Sequence, residues 1–240
     1  MENSIYIGLF RQMVLTRQMD LIANNVANAG TAGFRAQNLS FKEMISKPSG
    51  EKEPLSFVAQ NIQYQNVEAG PVKFTGNPLD IMLEGPGFIG VAADGGLSYT
   101  RAGNFQLSAS GQLLTSAGDP VASNGGSAIT IPADSTEIKI DEKGVISNQD
   151  GQVGQIMIAE FKDPKNMLPL GNNLYRTSET PGLGNNTRVK QGQVEGSNVQ
   201  AVLEMNRMVQ TLRDFQNVQN ILQTENERMR TVIQRLTRQA

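Results

Sequence analysis

Residues Ala201–Ala240 read AVLEMNRMVQTLRDFQNVQNILQTENERMRTVIQRLTRQA, a stretch with neither proline nor glycine. Proline removes a backbone donor and glycine costs about 1 kcal/mol in a helix interior, so the absence of both permits one long helix. Within it Ala201, Met208, Phe215, Leu222, Met229 and Leu236 recur every seven residues. Met205, Leu212, Gln219, Asn226 and Ile233 form a companion row four positions later. A heptad pattern sustained over about five repeats is that of a helix laid against another helix. At ~1.5 Å per residue this one extends ~60 Å, farther than a compact domain requires. Gln219 and Asn226 put polar groups inside the seam, where they cost stability and set register or partner.

A second stripe lies at the other end of the chain. Ile5, Gly8, Gln12, Leu15, Met19, Ile22 and Val26 alternate steps of three and four, one face of a helix beginning at an Asn3 or Ser4 cap. Asn24, Asn25 and Asn28 crowd its end. Asparagine competes for backbone hydrogen bonds, so this cluster predicts a terminus packed against defined partners. Gly30 suits the left-handed residue that closes a helix.

Between the ends the period changes. Leu79, Ile81 and Leu83 alternate with Asp80, Met82 and Glu84, as in a strand with one more buried face. Asp94-Gly95-Gly96, Ser110-Gly111, Ala117-Gly118, Asn124-Gly125-Gly126, Lys143-Gly144 and Asp150-Gly151 supply turn after turn. Ser46 to Pro54 reads as a solvated loop. The expected fold is α+β, mainly β: a discontinuous β-rich central domain at 72–190, flanked by long N- and C-terminal helices that pair as a coiled coil. The N-terminal helix lies within 1–35 and the C-terminal one within 191–240, with 36–71 an extended or flexible connector. Two amphipathic ends around a folded middle need each other, or neighbouring copies, to bury their stripes.

Composition narrows the chemistry. The 240 residues are 38% hydrophobic, lean for one compact domain, and carry 21 basic against 23 acidic side chains. That balance argues against nucleic acid or an anionic membrane as partner. With no cysteine and no histidine, disulfides, thiolate nucleophiles, Cys/His zinc sites and imidazole catalysis all fall away. Gly85-Pro86-Gly87-Phe88-Ile89-Gly90 fits the spacing of a dinucleotide loop, but a turn signal and not a helix follows it. Asp80, Glu84, Asp141 and Glu142 show no spacing that selects an acid–base pair. No catalytic, cofactor or metal residue is assigned, and the chain is expected not to be an enzyme. Its start, MENSIYIGLFRQM, lacks a basic leader region, so no cleaved secretory signal is expected.

Three motifs carry a family resemblance. The first is Asp20-Leu21-Ile22-Ala23-Asn24-Asn25-Val26-Ala27-Asn28, followed by Thr31-Ala32-Gly33-Phe34-Arg35. The second is Thr75-Gly76-Asn77-Pro78-Leu79-Asp80-Ile81, with Gly85-Pro86-Gly87-Phe88 and Tyr99-Thr100-Arg101-Ala102-Gly103-Asn104-Phe105. The third is Gly196-Ser197-Asn198-Val199 running into Glu204-Met205. Together and in this order they resemble the signatures of the flagellar rod and hook proteins. The resemblance implies a structural subunit whose paired helices pack with neighbouring subunits around the core of a tube, the β-rich domain outside. It implies copies of itself and neighbouring proximal and distal rod proteins as partners, and export unfolded through the flagellar type III apparatus. The expected place is the basal-body rod across the periplasm, transmitting torque and walling the export channel. Length and the residues from Asn3 to Met13 are most similar to a proximal rod member, with the distal member as rival; an adaptor or chaperone outside the rod and a β-fold hydrolase are the readings from other classes.

The heptad seam predicts that Phe215→Asp or Leu222→Asp blocks assembly while sparing the β-rich region. Normal incorporation of either variant, followed by immunoblotting of the assembled structure, would count against a buried seam.

Overall fold

The computed structural model describes residues 2–46, 55–93, 96–132, 134–135 and 137–238. Helix α1 (Glu2–Ala27) is followed by β1 (Gln37–Ser46) and β2 (Leu55–Gln65). Short strands fill the middle: β3 (Val72–Phe74), β4 (Ile81–Glu84), β5 (Phe88–Ala93), β6 (Gly96–Thr100), β7 (Gln106–Leu107), β8 (Leu113–Leu114), β9 (Lys139–Ile140), β10 (Val145–Asn148) and β11 (Gly151–Gln155). Then come β12 (Ile158–Glu160), β13 (Leu168–Gly171), β14 (Leu174–Arg176), β15 (Gly182–Leu183), β16 (Arg188–Gln191) and β17 (Gln193–Glu195), before helix α2 (Ala201–Arg238). Two helices thus flank a β-rich region, as expected. The chain divides into a helical unit (Met1–Ala27, Gln37–Gln63 and Gln200–Ala240) and a β-rich unit (Asn28–Ala36 and Tyr64–Val199).

In the helical unit α1 and α2 pack together. Leu15 and Ile22 of the expected α1 stripe are buried, and Gly8, Gln12, Met19 and Val26 are half-buried beside them. A Cβ on Gly8 would stand 2.6 Å from Leu222 Cδ2, so the missing side chain lets Leu222 lie against the α1 backbone. On α2 the inward row is Ala201, Glu204, Met208, Thr211, Phe215, Val218, Leu222, Glu225 and Met229. The seven-residue series is therefore in place, but its companion row lies three positions on, not four. Met205, Leu212, Gln219 and Asn226 are exposed. The reason is local polar pairing. Glu204, only 6% exposed, accepts from Asn25 Nδ2 at 3.3 Å and pairs with Arg207 at 2.6 Å. Thr211 Oγ1 donates to the Arg207 carbonyl at 2.9 Å. Satisfied polar side chains can occupy an inward row that hydrophobicity alone would give to Met205 and Leu212. The side chains of Ile5, Ile233 and Leu236, the loop at 47–54 and the turn residues Asp94 and Gly95 lie outside the described residues, whereas Asn3 and Ser4 do not cap α1 as expected, because the helix already begins at Glu2. The stretch with the weakest sequence signal, 36–71, contributes β1 and β2, which pair with each other.

In the β-rich unit the largest sheet has the order β13-β14-β6-β5-β12-β15, each pair antiparallel. Strand β5 is buried on both faces. Ile89 joins a cluster with Ile81, Leu83, Leu113, Val121, Ile146, Ile156 and Val189. Phe88, one residue earlier and therefore on the other face, joins Tyr99, Phe161, Met167 and Tyr175. In β4, Ile81 and Leu83 point inward as their alternation predicts. Asp80 is also buried, because Asn77 Nδ2 donates to its carboxylate at 3.0 Å. The turn at Lys143-Gly144 shows how composition becomes geometry. Gly144 takes φ +76°, which a side chain resists, while Asp141 Oδ1 accepts from the Lys143 and Val145 amides at 2.8 Å.

Leu113 is wholly buried, so Leu113→Ala should lower the stability of the β-rich unit by ~2–5 kcal/mol. Urea denaturation followed by tyrosine fluorescence checks this; a loss below ~1 kcal/mol would mean that the site collapses around the cavity.

Candidate assembly faces and a buried ionic clasp

The expected assembly residues divide into two groups. Leu15 and Ile22 are buried, and Met19, Val26, Met208, Phe215, Leu222 and Met229 are half-buried on the inward faces of α1 and α2. Met205, Leu212, Gln219, Asn226 and Asn24 are exposed. Among the exposed residues, apolar side chains form rows. On α2, Val202 (70% exposed), Met205 (50%), Val209 (49%) and Leu212 (45%) follow steps of three and four along one face. On α1, Tyr6 (65%), Leu9 (48%) and Met13 (69%) do the same. Contiguous exposed apolar side chains at helical spacing are the mark of a face that another molecule covers.

The asparagines have individual tasks. Asn25, 2% exposed, uses its amide as a substitute strand: Nδ2 donates to the Gln37 carbonyl and Oδ1 accepts the Gln37 N–H, both at 2.9 Å. Its remaining donor goes to Glu204, so one side chain ties α1 to the start of β1 and to α2. Asn28 Oδ1 accepts from Thr31 Oγ1 at 3.1 Å in the turn that follows α1.

In the β-rich unit Arg35 of the first motif and Arg101 of the second converge on one carboxylate, that of Glu195 directly before the third. Glu195 Oε1 lies 3.6 Å from Arg35 Nη2, and Oε2 lies 3.1 Å from Arg101 Nε. All three side chains are about 3% exposed or less. Glu195 Oε1 also accepts from the Gly70 amide at 3.3 Å. Two cations against one anion leave an uncompensated positive charge, which the surroundings spread. Arg101 donates to the carbonyls of Gly85 and Gly87, and both guanidinium carbons stand over the Phe88 ring, at 5.4 and 5.6 Å. Burial pulls Arg101 down to about 10, with Glu195 opposing the fall and Arg35 adding to it. Arg35 is lowered for the same first reason, again against the pull of Glu195. Burial pushes the Tyr175 phenol up to about 12; its hydroxyl donates to Asn173 Oδ1 at 3.1 Å.

This arrangement also accounts for the glycine-rich loop. Its carbonyls face a guanidinium, the Gly87 amide is taken by Thr187 Oγ1 at 2.9 Å, and β5 follows in place of a helix. A Cβ on Gly87 would meet Thr187 Oγ1 at 2.7 Å, so close packing against the segment before β16 requires the glycine. Among the described residues no group of acidic side chains is arranged to hold a metal ion, and no helix is long and apolar enough to cross a membrane. Sequence periodicity located the α1 stripe and the seven-residue row of α2, but not the companion row of α2. The clasp escaped it, because residues 35, 101 and 195 share no local spacing.

Rows of exposed apolar residues on two helices, in a chain that also carries a β-rich unit, are features of a structural protein that offers faces for association. Comparison with known proteins gives the family. Residues 5–35 match the flagella basal body rod protein family, residues 82–148 the FlgE/F/G D1 domain of flagellar hook proteins, and residues 190–235 the C-terminal region of the basal-body rod FlgEFG proteins. The chain is 35% identical to the flagellar basal-body rod protein FlgF of Caulobacter vibrioides, covering 98% of each chain. It is also 35% identical to the FlgF of Mesorhizobium japonicum, over 90% of each. The FlgG of Bacillus subtilis is 29% identical, over 97% of this chain and 98% of that one. The chain belongs to the FlgE/F/G family of flagellar basal-body rod proteins, and is a structural subunit of the basal body, with the FlgF chains of C. vibrioides and M. japonicum more similar to it than the FlgG of B. subtilis.

Removing Glu195 would strand two buried guanidiniums. Glu195→Ala should cost the β-rich unit about 3–5 kcal/mol, the usual penalty for breaking a buried pair from one side. A drop in unfolding free energy of less than ~1 kcal/mol would show that solvent or rearranged carbonyls can replace the carboxylate.

Proposed function

We propose that the chain is a proximal-rod subunit that assembles with further copies and with neighbouring rod proteins through α1 and α2, paired as a coiled coil. The observation that carries this reading is the exposed row Val202, Met205, Val209 and Leu212 with its counterpart Tyr6, Leu9 and Met13. Burial of such rows between chains contributes roughly 25 cal/mol per Å² of apolar surface, so many small contacts can hold a tube together. On this reading Leu15, Met19, Ile22, Val26, Met208, Phe215, Leu222 and Met229 hold the helix pair, and Met205 and Leu212 meet a neighbouring chain. Gln219 and Asn226 then act in register or lie against solvent. The rod crosses the periplasm, transmits torque and walls the export channel, and the subunit reaches it through the flagellar type III apparatus without loss of a signal peptide. The proximal position is favoured by 35% identity to FlgF chains against 29% to a FlgG chain over comparable coverage; a distal position is the second reading.

An immunoblot of purified hook–basal bodies, with a swimming assay of a strain lacking the chain, tests the reading. The protein should be present in the particles and motility lost without it. Met205→Glu with Val209→Glu should lower incorporation at least about tenfold, since each places a charge where an apolar contact forms. Absence of the parent protein from intact particles would move an adaptor outside the rod to first place.

A further inference from the structure

Within the β-rich unit, the segment that follows α1 lies beside the segment that precedes α2. The Gly33 amide donates to the Glu195 carbonyl at 2.7 Å, and the Asn198 amide donates to the Phe34 carbonyl at 3.3 Å. The Asn198 side chain adds three bonds. Its Oδ1 accepts the Ala36 N–H at 2.7 Å, and its Nδ2 donates to the carbonyls of Glu68 at 2.8 Å and Asn66 at 3.2 Å. One side-chain amide therefore grips the chain leaving α1, the chain leaving β2 and the chain entering α2. Asn198 belongs to neither apolar cluster of the unit. A hydrophobic core does not require this residue, and three directed hydrogen bonds from one half-buried amide at a chain exit have a geometric purpose.

We propose that Asn198 is a positioning residue for assembly: it holds the two chain exits of the β-rich unit side by side, so that α1 and α2 meet in one register. In that register Gly8 lies against Leu222, where a Cβ would stand 2.6 Å from Leu222 Cδ2. This inference rests on the assembly reading above, but its own readout is separate from rod incorporation.

The chain has no cysteine, so Gly8→Cys with Leu222→Cys gives a clean reporter of register in the full-length monomer. The pair should form a disulfide under mild oxidation. Adding Asn198→Ala should lower the rate of its formation at least about fivefold, the change in equilibrium expected for one net hydrogen bond. Leu113→Ala, a core variant far from Asn198 in sequence, should lower the melting temperature at least as much and leave the cross-linking rate alone. Cross-linking of the Asn198→Ala variant at the parental rate would overturn the proposal, and so would an equal fall with Leu113→Ala, which would assign the effect to stability. If Asn198→Ala slows cross-linking but the parent chain is missing from hook–basal bodies, the positioning role stands and the rod reading fails.

Discussion

In the β-rich unit, segments far apart in sequence meet at the shared carboxylate of Glu195. Arg35 comes from the segment after α1, Arg101 from the end of β6, and Glu195 from the last strand before α2. A buried ion cluster is weak evidence for net stability, because desolvation offsets much of the Coulomb gain. Its use is directional. The guanidiniums select one position for the carboxylate, the Gly85 and Gly87 carbonyls select one position for Arg101, and the Phe88 ring lies beneath both cations. A chain whose unit is assembled from segments far apart in sequence gains from such a junction, since apolar packing alone tolerates slippage that fixed charges do not.

The helical unit solves a related problem with neutral amides and one carboxylate. Glu204 and Thr211 occupy the inward row of α2, and their partners Asn25, Arg207 and the Arg207 carbonyl satisfy them in place. This choice has a consequence for the outward side. With polar residues turned in, Met205 and Leu212 are turned out, together with Val202 and Val209. The distribution would be wasteful for a monomer and suits a subunit that another chain covers. Polar inward residues also discriminate, because a slipped register would leave Glu204 without Asn25.

How far the amino-acid sequence discloses this arrangement depends on the range of each interaction. The stripe Gly8, Gln12, Leu15, Met19, Ile22 and Val26 was legible because helical periodicity is local. So were the turn glycines of the β-rich region and the in-and-out pattern of Ile81 and Leu83, whereas the left-handed residue after α1 is Gly33 and not the expected Gly30. The companion row on α2 was misassigned by one position. Apolar Met205 and Leu212 outweighed Glu204 and Thr211 there, whose partners lie a turn or a whole chain away. Strands β1 and β2 were not anticipated, since residues 37–46 and 55–65 mix charged, amide and apolar side chains without strict alternation. Arg35 and Arg101 each stood in a recognisable motif and Glu195 stood directly before the third, yet nothing local announces that these segments meet at one carboxylate.

If neighbouring chains cover the outward rows of α1 and α2 in the rod, the accessibility of those rows must fall on assembly. Met205→Cys would place one thiol in an otherwise cysteine-free protein, on the middle of the α2 row. The direct measurement is its maleimide labelling in the free subunit and in purified basal bodies. Fast labelling of the free subunit and strong protection in the assembled particle is the result this account predicts. Equal labelling in both would contradict it, leaving the row exposed in the rod and the contacts between subunits elsewhere.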